Sequence, residues 1–204
     1  MNRHGDMEAL YRKGLWALAG AIMALWSLAA CAPRTVTVGV ALDTPEHHVL
    51  SGMKLLDSGR YQDARSQFEL AIQKAPWFTK AYVGKGLVAG YQGNCRNARQ
   101  AIEKAATMAK TDDEKAFAAI GLIRLALICQ DSVESEPLQA ARAAYVQALA
   151  VFPDSAEAHY YMAVLYESAG DILRARTLFQ RVVEINQSHV LEARDALRRI
   201  QGEE

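Results

Sequence analysis

Apolar positions in this chain fall into two regimes. Residues 15–30 form an almost unbroken apolar run preceded by Arg3, Arg12 and Lys13. From residue 45 onward apolar and polar residues interleave, and the interleaving repeats. Gly52 is followed 12 residues later by Ala64, then by Phe68, Ala71 and Pro76; the same intervals recur as Gly86, Ala98, Ile102, Ala105 and Lys110, an offset of 34 residues. A third series reads Gly121, Ala141, Tyr145, Ala148 and Pro153, with eight extra residues between its first two members, and a fourth reads Ala163, Ala175, Phe179, Val182 and Gln187. Self-similarity at such a period signals stacked supersecondary units.

Packing explains why these residue types recur. Two antiparallel helices approach closely only where a small residue faces a bulky one, so Gly52, Gly86, Gly121 and Ala163 are expected to receive the large residue of the second helix of each pair. The alanines at 64, 98, 141 and 175 let neighbouring hairpins stack, and Phe68, Ile102, Tyr145 and Phe179 fill the space between them. Gly59, Gly93 and Gly170 fall between paired helices, where a left-handed residue ends a helix at little steric cost. Pro76 and Pro153 stop the second helices; Lys110 and Gln187 stand where the other two copies would have proline.

This series resembles the tetratricopeptide repeat, in copies spanning 45–78, 79–112, 114–155 and 156–189, the third with an insertion near 130–139. The resemblance implies an all-α fold: a right-handed α-solenoid of about four helix-turn-helix repeats. Residues 190–204 form the C-terminal end, in which Leu191, Ala193, Leu197 and Ile200 alternate with charged residues as in a capping helix. The resemblance also implies that the first helices line a concave, peptide-binding face. Its lining is then Glu46, Val49, Met53 and Leu56; Lys80, Val83, Leu87 and Tyr91; Lys115, Ala118, Leu122 and Leu125; and Glu157, Tyr160, Val164 and Glu167. The peptide-binding residues expected among them are Val49, Met53, Leu56, Val83, Leu87, Tyr91, Leu122, Leu125, Tyr160 and Val164. The Lys, Asn and Arg clamp that the family uses for a C-terminal carboxylate is not matched. An apolar lining marks a binding site for an amphipathic or extended apolar segment, unless it is filled by residues 35–42, by residues 130–139, or by core packing itself.

The first regime reads as a secretory leader. The run is 16 residues long, about four short of the roughly 20 a spanning helix needs. It ends in Leu28, Ala29, Ala30 and Cys31, which resembles the bacterial lipobox. The resemblance implies a signal peptide over residues 1–30, acylation of Cys31, and a lipid-anchored tether over residues 31–44. Several acyl chains together hold a protein on a bilayer where one chain binds only reversibly. Ala32 stands where an aspartate would favour inner-membrane retention, so the expected location is the periplasmic face of the outer membrane.

Composition narrows the chemistry further. The chain has 204 residues with 23 basic and 23 acidic side chains, so no net field draws it to nucleic acid. Catalysis is not indicated: no H-E-x-x-H, G-x-S-x-G or phosphate-binding glycine loop is present. No cofactor or metal is expected, since the three cysteines form no C-x-x-C pair. Asp112, Asp113 and Glu114 read as the acidic first turn of a helix. In the repeat arrangement Cys95 and Cys129 lie at neighbouring ends of adjacent helices, where they form either a disulfide or two buried thiols. The function expected from these features is a non-enzymatic adaptor for an envelope-assembly partner, resembling the pilotins of type IV pili or the repeat lipoproteins of peptidoglycan machinery. The alternative is a lipoprotein that passes a small molecule or lipid to a transporter.

Overall fold

A computed structural model describes residues 43–130 and 137–202. The chain divides into two units, Met1–Val40 and Ala41–Glu204. The first lies outside the described residues, so the expected signal peptide, Cys31 and most of the tether have no structural account. Residues 131–136 of the expected insertion also lie outside them. Within the second unit the described residues form helices and turns, with no strand among them. The helices are α1 (Pro45–Asp57), α2 (Tyr61–Lys74), α3 (Thr79–Tyr91), α4 (Cys95–Met108), α5 (Asp112–Ile128), α6 (Pro137–Val151), α7 (Ala156–Ser168), α8 (Ile172–Ile185) and α9 (Val190–Gln201).

Helix boundaries follow local chemistry. Thr44 caps α1 by accepting from the His47 amide at 3.1 Å, and Pro45 sits in the first turn, where its missing N–H costs nothing. Asp43, beside that cap, accepts from Lys74 at 2.6 Å and contacts His48 Nε2 at 3.0 Å. Residues 43 and 44 thus belong to the first hairpin rather than to a free tether. Thr111 and Glu114 form a reciprocal capping box at the start of α5. Burial alone would raise the Glu114 carboxyl's pKa, but the amides of Lys110 and Thr111 hold it below its ordinary value. The first helices of three hairpins end at Gly59, Gly93 and Gly170 with φ of 75°, 82° and 79°. The two prolines missing from the repeat are replaced by other stops: Ala109 turns extended after α4, and Asn186 adopts a left-handed conformation after α8.

The hairpins α1/α2, α3/α4, α5/α6 and α7/α8 stack in sequence order, the first helices also packing on one another, and α9 closes the array against α8. Phe68, Ile102 and Phe179 are fully buried, each contributing roughly 2–3 kcal/mol by removal from water. The glycine contacts refine the expected pattern. Gly52 faces Phe68 and Gly86 faces Ile102, as hairpin packing requires. Gly121 does not receive Tyr145. A Cβ there would lie 2.5 Å from Val83 Cγ1, so this glycine admits the preceding first helix instead. Gly84 likewise presses on Phe68 of the hairpin before it. In α9, Ala193 and Ala196 are buried whereas Leu191 is 72% exposed, so the apolar face of the capping helix is rotated away from the leucine the sequence pattern assigned to it.

Candidate functional site

The first helices α1, α3, α5 and α7 lie side by side and form the face that the sequence singles out. Ten residues were expected to line it. The structure places Val49, Leu56, Val83, Leu87 and Leu125 in the core, none more than 3% exposed, and these five are corrected from groove to core. A first helix is covered by its own partner and by the first helices on either side, so residues facing away from the partner still become buried. Leu125 illustrates this, for its Cδ1 occupies the space that a Cβ on Gly90 would enter at 2.6 Å. Met53, Leu122, Tyr160 and Val164 are half-buried, and Tyr91 is exposed. Tyr91 stacks on Tyr61 with ring centroids 4.8 Å apart, and Tyr160 stacks on His189 at 4.2 Å.

The residue that organises this face is Arg124, which the groove reading leaves out. Its side chain is only 5% exposed; Nη2 donates to Asp57 Oδ1 at 2.7 Å, and the guanidinium lies 4.9 Å from the Tyr161 ring centroid. The contact joins α5 to the end of α1, past α3. Burial works against the Arg124 charge, but neighbouring groups, the Asp57 carboxylate among them, outweigh it and hold the pKa above its ordinary value. Burial pushes the Tyr161 hydroxyl the same way, upward, so it stays neutral beside the guanidinium. The sequence did carry a signal, since Arg124 is the lone charge between Phe117 and Cys129. A charge in the middle of an otherwise apolar helix is either paired or functional.

Next to this cluster a cleft of about 500 Å³ opens between the N-terminal halves of α5 and α7. Phe117, Ile120 and Phe152 supply apolar wall, and Asp113, Asp154 and Glu157 supply carboxylates. The loop of Gln187 and Ser188 forms another wall. It is set by left-handed backbone at Asn186 and His189, φ 54° and 59°. Burial raises the Glu157 carboxyl's pKa, opposed by Arg124 and His189 and reinforced by Asp57.

The remaining polar residues have structural partners. His159 Nε2 donates to the Pro153 carbonyl at 3.2 Å while Nδ1 accepts from the Tyr145 hydroxyl at 2.6 Å, a tautomer assigned from these two neighbours. Burial pushes the Tyr145 pKa up to about 12. Cys95 at the start of α4 and Cys129 at the end of α5 form a disulfide with Cα atoms 6.0 Å apart. Among the described residues no group of three His, Cys, Asp or Glu is arranged to hold a metal ion. Among them, too, no helix is long and apolar enough to cross a membrane.

The profile of the tetratricopeptide repeat family matches residues 133–190. Among solved structures, a thermophilic TPR protein in Thermus thermophilus aligns with a TM-score of 0.63 at 18% identity, over 78% of this chain and 84% of that one. The APC/C hetero-tetramer Cut9-Hcn1 aligns with a TM-score of 0.55 at 18% identity, over 77% of this chain and 30% of that one. No curated protein matches the sequence. The described part of the chain is therefore an all-α solenoid of the tetratricopeptide type.

Proposed function

We propose that the protein is a non-enzymatic adaptor that holds a segment of a partner protein on the face formed by α1, α3, α5 and α7. The observation that carries this reading is the Arg124–Asp57 pair. A buried guanidinium is a poor stabiliser compared with an apolar side chain of the same volume. Here one is kept at the face where exposed Tyr91 and half-buried Met53, Leu122 and Tyr160 offer aromatic and apolar contact. Tyrosine is among the residue types that dominate binding energy at interfaces, and Tyr91 is the exposed one here.

In this proposal the adaptor is exported, acylated at Cys31 and held at the periplasmic face of the outer membrane, where its partner belongs to an envelope-assembly machine. The leader, the Leu28 to Cys31 sequence and the Cys95–Cys129 disulfide support it, because disulfides persist in an oxidising compartment.

The test is a photo-crosslinking amino acid placed at Tyr91 in the full-length protein in its own cells, with Val146, 68% exposed on α6, as the control position. An envelope protein captured at Tyr91, absent at Val146 and lost when Arg124→Met is added, is the expected result. Equal capture at both positions, or none at Tyr91, overturns the adaptor reading. Incorporation of an alkyne-labelled fatty acid that survives Cys31→Ser refutes the anchor.

A further inference from the structure

We propose that the cleft between α5 and α7 selects the partner, and that it accepts a lysine or arginine side chain carried beside an apolar one on an extended segment. This deepens the adaptor reading and rests on it. Among the described residues three carboxylates line the cleft and no lysine, arginine or histidine does. Asp113 is engaged by Lys80, and Asp154 by Arg181 at 2.6 Å, each through a single carboxylate oxygen. Both aspartates stay mostly exposed, at 64% and 67% of their side chains, so each keeps an oxygen for another donor.

Glu157 differs from them. It is half-buried, and among the described residues it makes neither a hydrogen bond nor an ion pair; the longer-range fields of Arg124, His189 and Asp57 act on it. A desolvated carboxylate without a donor is costly, and a guest cation supplies the missing donor. A purely apolar guest would take away its remaining water and leave it unpaired, and an acidic guest would add repulsion from Glu157 itself.

The apolar half of the specificity comes from Phe117, Ile120 and Phe152, the last 45% exposed. One wall already shows its taste for a cation, since Lys80 Nζ lies 5.4 Å from the Phe117 ring centroid. A cleft of about 500 Å³ holds a few side chains. The α6–α7 and α8–α9 turns form part of its wall.

The experiment uses the mature protein and three fluorescent octapeptides alternating leucine with lysine, glutamate or serine. Fluorescence anisotropy is expected to show the lysine probe binding at least tenfold more tightly than the glutamate and serine probes. Glu157→Gln should weaken the lysine probe roughly tenfold, the scale of one hydrogen bond to a charged group. Phe152→Ser should weaken it further. Glu157→Gln removes an unpaired carboxylate without changing shape, so its melting temperature should be at or above that of the parent, which separates lost binding from lost folding.

Equal affinity for the lysine and glutamate probes, or an unchanged lysine affinity in Glu157→Gln, overturns the proposal. If the Tyr91 crosslink still captures its envelope protein in Glu157→Gln at the parent yield, the adaptor stands and the cleft falls. If the lysine probe behaves as expected but Tyr91 captures nothing, the cleft binds basic segments and the adaptor reading is the one that fails.

Discussion

Replacing Gly84 by alanine tests the packing scheme at its tightest point. The Phe68 ring is fully buried and lies between two glycines, Gly52 of its own hairpin and Gly84 of the next. A Cβ on Gly84 would stand 2.3 Å from Phe68 Cε1 and 2.4 Å from Cζ, while Gly52 limits retreat on the other side, a Cβ there meeting the same ring at 2.6 Å. Overpacking of a core typically costs about 1–3 kcal/mol. Alanine returns up to about 1 kcal/mol of helix propensity. With the ring held from both sides the upper part of the range applies, giving a net loss of about 1–2 kcal/mol. For an array of this size that lowers the melting temperature by roughly 2–8 °C.

Thermal and urea unfolding followed by far-UV circular dichroism measure the loss, and a double-mutant cycle identifies its source. In a Phe68→Leu background the ring is gone, and Gly84→Ala should become neutral or slightly stabilising. Gly59→Ala is the control. No atom lies within 4 Å of that site but φ is 75°, so its cost of about 1–2 kcal/mol is a backbone cost that does not depend on residue 68. An equal loss for Gly84→Ala in both backgrounds, or a gain in the parent, refutes the interlocking of neighbouring hairpins through Phe68.

Reducing the Cys95–Cys129 bond, or replacing both cysteines by serine, opens a loop of 34 residues' separation; the chain-entropy treatment gives a loss of roughly 3–4 kcal/mol, and an unfolding midpoint indifferent to reductant refutes the bond. His159 has its pKa held below the ordinary value, chiefly by burial and also by Arg181. The unfolded chain therefore takes up this proton first as pH falls below about 6.5, and stability declines from there down to the folded-state value. His159→Gln should flatten the stability-versus-pH curve in that window, and a slope identical to the parent's shows that the titration lies elsewhere.

What the sequence made legible is what repeats. The hairpin phase, the glycine stops and the burial of Phe68, Ile102 and Phe179 are read from spacing because each recurs at one place in the repeat. Contacts between hairpins are harder to read. Gly84 has no counterpart in the 34-residue series, yet it meets the same ring as Gly52, and Gly121 occupies a repeat position while serving Val83 instead of Tyr145. The groove suffered for the same reason. Periodicity tells which side of a helix is apolar, but in a solenoid three neighbours share that side, so Val49, Leu56, Val83, Leu87 and Leu125 are core. Arg124, which breaks the pattern, marks instead a buried tie between α5 and the end of α1. The cleft was not legible at all, because Phe117, Phe152 and Glu157 come together only once α5 and α7 are packed.

The bond between Cys95 and Cys129 also has a mechanical meaning. It bridges the second and third hairpins, so a pull on the two ends of the oxidised chain cannot draw out the residues enclosed between them. In an optical trap the fully stretched oxidised molecule should come up about 110–120 Å shorter than the reduced one. Tension applied to one end is then carried across this rivet, leaving the slack inside it untouched.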